Sequence, residues 1–479
     1  MRSPDIPLNP VPPESLRAQV DFAPESEAQA ARPLRALTPA GILEWIEGRP
    51  RGGAWAAASG FTAREGAILT LPDAQGGLEG ALFGLGAGAR LAEPLAFGAA
   101  PWGLPEGVWR LEGLEKPEDL EAAALGWLLG SYKFTRYRPS DRAPARLLAP
   151  AGIDAAKIRR LAESAFLARD LINRPANDLG PEALEAEARA VAQAAGAEIS
   201  ILLGDDLLTA NYPLIHAVGR AGPQAPRLVD IRWGDPGAPK VTLVGKGVCF
   251  DTGGLDVKPS SNMLLMKKDM GGAAAALSLA QSLMEAKAPI RLRVLLPIVE
   301  NSISASAFRP GDVLNSRAGL TVEIGNTDAE GRLILADALT EADSEAPQIL
   351  VDFATLTGAA RVALGPQLPP LFTDDEALAS ELLAAGSALA DPLWRMPLWP
   401  GYETDLVSPV ADLNNAPGGG FAGAVTAALF LKRFVKRAEA WAHLDIYGWT
   451  PKARPGRPMG GEQQGARAVY GALAKRYGF

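Results

Sequence analysis

From residue 197 onward, short apolar runs alternate with helical patterns, and that alternation leaves few folds open. The runs are AEISILLG at 197–204, PRLVDIRWG at 226–234, PKVTLVGKG at 239–247, IRLRVLLPIV at 290–299, QILVDFATL at 348–356 and AWAHLDI at 440–446. Several are near-continuous in Val, Ile and Leu, as strands buried on both faces must be. Between them, GGAAAALSLAQSLMEAK at 271–287 and LILADALTEADS at 333–344 carry helical spacing. The pattern predicts an α/β protein with a mixed, largely parallel sheet flanked by helices.

Ahead of this region the residues predict a smaller α/β domain. Residues 1–30 are proline-rich and acidic and read as an irregular arm. Leu37, Ile42, Trp45 and Ile46 suit a short helix, runs at 67–71, 81–85 and 108–112 suit strands, and 120–134 suits a helix. The Arg- and Pro-rich stretch at 136–152 reads as a boundary, and a helical pattern follows at 155–173. A chain of 479 residues exceeds one ordinary core. We therefore expect an N-terminal α/β domain over 1–150, with an assembly or regulatory role, and a catalytic domain over 151–479.

Composition removes whole classes of chemistry. The chain holds two histidines, His216 and His443, and one cysteine, Cys249, so imidazole and thiolate ligand sets for zinc cannot be assembled. Cys249 also lacks a histidine in a motif context that would make it a nucleophile, and reads as a small buried hydrophobe. The net charge is −8, and residues 1–150 carry 15 Lys+Arg against 18 Asp+Glu, which disfavours nucleic acid as a partner. The opening MRSPDIPLNPVPPE has no apolar run, and no window is apolar enough to span a membrane, so a cytoplasmic protein is expected.

Chemistry-bearing residues concentrate in two stretches, VGKGVCFDTGGLDVKPSSNMLLMKKDM at 244–270 and NTDAEGRL at 326–333. They gather Lys246, Asp251, Lys258, Asp269, Asp328, Glu330 and Arg332 at predicted strand ends and helix entries, where open α/β sheets bind ligands. Asp328 and Glu330 are expected to precede a helix beginning near Leu333, but taken singly Asp269 could be a helix N-cap, Glu330 a first-turn helix charge, and Asp251 part of a turn. Four carboxylates beside two lysines instead suit two divalent cations bridged by shared oxygens. GKG at 245–247 lacks the spacing of a phosphate-binding P-loop.

These motifs resemble those of the leucyl aminopeptidase family, also called cytosol aminopeptidases. NTDAEGRL matches the family signature completely, and VGKGVCFDTGG matches VGKG-x-x-FD-[ST]-GG. Further matches are VKPSSNMLLMKKDMGGA, LINRPANDLGP at 171–181, DFATLTGA at 352–359, FAGAVTAALFLKRF at 421–434 and WAHLDI at 441–446. The resemblance covers 155–479 and is weak over the N-terminal domain. It implies a hydrolase that removes the N-terminal residue of peptides with a free amine. One metal would be held by Asp251, Asp328 and Glu330, and a second by Lys246, Asp251, Asp269 and Glu330. Zn, Mn, Mg or Co are all admissible in such an oxygen-rich site. Lys258 would act as electrophile, and Arg332 would hold a bicarbonate ion that relays a proton. The first side chain would meet Met266, Asn326, Thr355, Leu356, Gly358 and Tyr447. Where the family usually reads HLDIAG this chain reads HLDIYGW, which places Tyr447 and Trp449 at normally small or aliphatic positions. The resemblance further implies a homohexamer. A narrow dipeptidase, a phosphoesterase on the same site, and a DNA-binding architectural protein are the competing readings; Lys258 and Arg332 disfavour the phosphoesterase.

Overall fold

The computed structural model describes residues 21–47, 49–87 and 93–479, so residues 1–20 of the expected arm lie outside the described residues. The chain divides into two compact units, and the division falls at Phe166/Leu167, inside the Ala155–Asn173 helix. Lys452–Met459 belongs to the smaller unit.

The smaller unit is built on a five-stranded sheet in the order Ile68–Pro72, Leu78–Gly84, Arg32–Leu37, Val108–Glu112, Arg146–Leu147. Arg32–Leu37 lies at its centre and pairs parallel with both neighbours. The Pro117–Ser131 helix turns a nearly continuous run from Ala123 to Ser131 into the interior. The predicted elements at 67–71, 81–85, 108–112 and 120–134 all appear, the last shifted three residues toward the N-terminus. The helix expected over 37–47 begins at Pro39, because Leu37 ends the central strand.

Among the described residues the main sheet of the larger unit has nine strands, and two small sheets of three and two strands accompany it. Its order is Trp394–Arg395, Pro370–Phe372, Ala440–Asp445, Ile349–Ala354, Lys240–Gly245, Arg291–Asn301, Arg227–Trp233, Glu198–Leu203, with Gly247–Asp251 pairing beside Arg291–Asn301. The four central strands are parallel, and antiparallel pairs flank them on both sides. Every residue of Ile349–Ala354 and Ala440–Asp445 is buried, as a sheet covered on both faces requires. Asp352 gathers two of the polar side chains: His443 Nδ1 lies 2.5 Å from Asp352 Oδ1, and Trp441 Nε1 donates to Asp352 Oδ2 at 2.8 Å. Among the described residues no helix is long and apolar enough to cross a membrane.

Two helices, Gly271–Glu285 and Glu330–Ser344, pack on the Lys240–Gly245 strand. The second starts at Glu330, three residues earlier than its apolar spacing suggests, so Glu330 lies in the first turn instead of ahead of it. The predicted strand at 239–247 is two strands. Lys246 interrupts it by donating its amide to Phe353 O at 3.0 Å while its carbonyl accepts from Ala273 N at 2.8 Å.

Candidate metal centre

Lys246 leaves the carboxyl end of Lys240–Gly245, and Thr355 leaves that of the neighbouring Ile349–Ala354. Asp251 closes Gly247–Asp251 directly opposite Asn301 at the end of Arg291–Asn301. The sheet thus delivers these residues to one end, the usual binding edge of an open α/β sheet.

The two motifs are bound together there. Thr327 Oγ1 donates to Gly253 O at 2.6 Å, and the Asp256 and Thr327 amides each reach the other residue's side chain at 2.8 Å. Asn301 Nδ2 holds Asp251 Oδ1 at 2.8 Å and Thr327 O at 3.1 Å. Asp328 N donates to Asn326 Oδ1 at 2.7 Å, which fixes the turn ahead of Glu330. Asn415 clamps the same turn: its side-chain oxygen accepts from Gly325 N and Asn326 N, and its amide donates to Asn326 O.

The expected site residues converge. Lys246 Nζ lies 2.7 Å from Asp269 Oδ2 and 2.9 Å from Glu330 Oε1, and donates to Thr355 O at 3.0 Å. Lys258 Nζ lies 2.8 Å from Asp251 Oδ2 and also pairs with Asp328. Oxygens of Asp251, Asp328 and Glu330 lie within 4.8 Å of one another. Asp269 caps no helix: it sits in the turn before Gly271–Glu285, and its Oδ1 accepts from Thr355 Oγ1 at 2.8 Å. Arg332 is buried beside this cluster with Nη1 on Asn415 O at 2.6 Å, and its Nε has no partner. Of the residues expected to line the pocket, Met266, Asn326, Leu356 and Tyr447 are half-buried and Gly358 is exposed, whereas Thr355 is buried.

Four carboxylates face two ammonium groups, and the imbalance shows in their acidities. Burial, reinforced by the negative charge of Asp251, pushes Asp328 up to about 6 and Glu330 up to about 8. Burial alone would depress both lysines. Asp269, Glu330 and Asp251 around Lys246, and Asp251, Glu330 and Asp328 around Lys258, outweigh it and hold both above their ordinary range. Glu330 Oε2 is buried and accepts no hydrogen bond. Such a set is short of positive charge and offers a lone pair with no taker, which fits divalent cations with oxygen ligands. Gly331 keeps the space open, since a Cβ there would stand 2.5 Å from Lys246 Cε.

The remaining reactive side chains lie elsewhere. Cys249 is buried, and burial pushes its thiol well above the usual range. His216 Nε2 lies 3.1 Å from Asp205 Oδ1, and His443 is held by Asp352, so both are hydrogen-bonded structural residues as expected. Sequence reasoning passed over Asn301, Asn415, Asp445 and Lys268. Asp445 accepts from the Leu356 and Thr357 amides at 3.1 and 3.2 Å and so shapes the loop after Ala354. Its place at the carboxyl end of a predicted strand was the signal available.

Comparison with known proteins agrees along the chain. A profile of the cytosol aminopeptidase family catalytic domain matches residues 166–470, and one of the M17 aminopeptidase N-terminal domain matches 32–150. A probable cytosol aminopeptidase of Caulobacter vibrioides is 37% identical over 96% of this chain and 99% of its own. The crystal structure of a cytosol aminopeptidase from Coxiella burnetii superposes with a TM-score of 0.89 at 46% identity, covering 93% of this chain and 97% of that one. The bottromycin maturation enzyme BotP in complex with Mn gives 0.85 at 34%, covering 94% and 100%. With both domains matched and the acidic cluster at the sheet's carboxyl edge, the chain belongs to the M17 cytosol aminopeptidase family.

Proposed function

We propose that this aminopeptidase holds two divalent cations and uses them to remove the N-terminal residue from peptides with a free α-amine. The observation that carries the reading is the meeting of Asp251, Asp328 and Glu330 oxygens within 4.8 Å, with Lys246 held between Asp269 and Glu330. Asp251, Asp328 and Glu330 would hold one cation, and Lys246, Asp251, Asp269 and Glu330 the other, with Asp251 and Glu330 shared. The Mn complex of BotP supports a divalent-cation site, and Zn or Mn are the metals we expect. When bound, the cations supply Lewis-acid polarisation of the scissile carbonyl and a water acidic enough to attack it at neutral pH. Lys246 can be a ligand only as the free amine, a state that a neighbouring dication favours.

The chain's own residues do the rest. Lys258 stabilises the negative charge that grows on the carbonyl oxygen, because its ammonium is already fixed beside Asp251 and Asp328. Arg332, with a buried Nε that has no partner, would hold a bicarbonate ion whose chemistry is proton transfer. Met266, Asn326, Thr355, Leu356, Gly358 and Tyr447 line the pocket for the first side chain. The domain over 1–150 serves assembly, the chain works as a homohexamer, and its setting is cytoplasmic.

The test is hydrolysis of aminoacyl p-nitroanilides by chelator-stripped protein, by the same protein restored with Mn or Zn, and by Asp328→Ala. Release that requires metal and falls roughly a thousandfold in the variant is expected. No release from any substrate, with metal demonstrably bound, would overturn the reading.

A further inference from the structure

Lys267 and Lys268 are adjacent, yet they meet different surroundings. Lys267 Nζ donates to Asn173 O at 2.7 Å and lies 5.5 Å from the Trp449 ring centroid. Lys268 is 94% buried, being 6% exposed, and its Nζ stands 4.8 Å over the Tyr447 ring. Among the described residues its Nζ makes no hydrogen bond or ion pair, and it faces the Tyr447 ring. A buried ammonium facing an aromatic face is only partly compensated.

The nearby carboxylates are already engaged. Asp269 is spent on Lys246 and Thr355. Asp445 accepts from Leu356 N, Thr357 N, Thr357 Oγ1 and Arg361. Arg361 also sits 5.8 Å from the Tyr447 ring, and its buried Nε and Nη1 make no hydrogen bond. Around Tyr447 there are thus two cations, Lys268 and Arg361, and the nearby carboxylate of Asp445 is already paired with Arg361. The excess positive charge lies next in sequence to Asp269 and beside Thr355, whose Cγ2 would stand 3.2 Å from a Cβ on Gly448.

We propose that the Lys268 ammonium, held over the Tyr447 ring, gives the pocket for the first side chain a carboxylate-binding end, so that the enzyme prefers peptides beginning with glutamate or aspartate. The proposal rests on the aminopeptidase reading of the same site. A charged hydrogen bond formed by an ammonium that has no hydrogen-bond partner of its own favours an acidic over an aliphatic side chain. Tyr447 would narrow the pocket for a large aliphatic group, and its ring lies under the ammonium.

The test compares kcat/KM for glutamyl, aspartyl, glutaminyl, leucyl and methionyl p-nitroanilides in the metal-loaded wild type, Lys268→Met and Lys268→Arg. Calorimetric binding of free glutamate and free leucine to each protein is measured with and without metal. The readout is the glutamyl-to-leucyl ratio. It is expected to exceed one in the wild type, to drop roughly ten- to a hundredfold in Lys268→Met, and to be largely restored in Lys268→Arg. Free glutamate binding should weaken in Lys268→Met while free leucine binding does not. A leucyl preference in the wild type, or a ratio indifferent to Lys268→Met in a variant with an unaltered circular dichroism spectrum, overturns the proposal. Failure to hydrolyse every substrate overturns the aminopeptidase reading instead, and the glutamate binding comparison then decides the pocket by itself.

Discussion

At the scale of single residues, the site depends on space as much as on charge. Lys246 is wedged between Asp269 and Glu330, and the missing side chain at Gly331 makes room for it: a Cβ there would lie 2.5 Å from Lys246 Cε and 2.8 Å from Nζ. Gly331→Ala should therefore displace the lysine while leaving the fold in place. Overpacking costs about 1–3 kcal/mol, and replacing a helical glycine by alanine returns about 1 kcal/mol, so the thermal midpoint should move little. A displacement near 1 Å in a reacting centre can cost about a hundredfold. We expect kcat/KM to fall by about that factor and metal affinity to weaken in calorimetry; wild-type values of both would refute the wedge. The carboxylates proposed as ligands and Lys258 could be singled out in the sequence because they cluster in two short glycine-rich segments. Lys268 was not, since nothing in MKKDM separates a lysine that reaches Asn173 and Trp449 from one buried over Tyr447. The distinction is made by residues far along the chain.

At the scale of elements, legibility followed burial. The central strands of the larger sheet are covered on both faces and read as unbroken apolar runs, so their positions came through within a residue or two. Arg32–Leu37 is central in its own sheet yet went unread. It contains Pro33 and two arginines, and its burial alternates as in a half-covered strand. Helix starts were equally opaque where tertiary hydrogen bonds set them, as at Glu330. The Glu330–Ser344 helix also carries a buried carboxyl that joins elements: Asp337 accepts from the Leu214 and Ile215 amides opening the Pro213–Gly219 helix and from Arg317 N. Burial outweighs these hydrogen bonds and lifts Asp337 from an ordinary 3.8 to about 7. The folded chain thus holds this proton more tightly than the unfolded one. The stabilising contribution is complete below about pH 3.8 and is lost as pH rises through about 7. Asp337→Asn should flatten this part of the stability–pH profile. It should also cost about 1–3 kcal/mol at acid pH by turning one acceptor into a donor. Urea midpoints of both proteins from pH 5 to 8 measure this, and parallel profiles would exclude Asp337 as the source.

At the scale of the whole molecule, the larger unit exposes apolar side chains that water alone would not favour. Phe421 is 93%, Val362 90% and Leu264 85% exposed, and Trp399, Val407 and Val410 are also well exposed. Isolated exposed aliphatics are ordinary, but this many large ones in one unit suit a surface covered by further copies of the chain. Closed point-group symmetry is the usual arrangement for such copies. The expected homohexamer has a mass of about 300 kDa, six times the 50.1 kDa chain. Sedimentation equilibrium across a concentration series tests this. A mass that stays near 50.1 kDa would mean that the exposed residues serve something other than self-assembly. A hexameric mass that persists in high salt would point to apolar contacts rather than ion pairs holding the copies, because screening weakens only the latter. The same series with duplex DNA added addresses the remaining architectural reading. With a net charge of −8, no DNA-dependent shift is expected at physiological salt, and a shift that weakens steeply as salt rises would require a basic surface that the overall charge conceals.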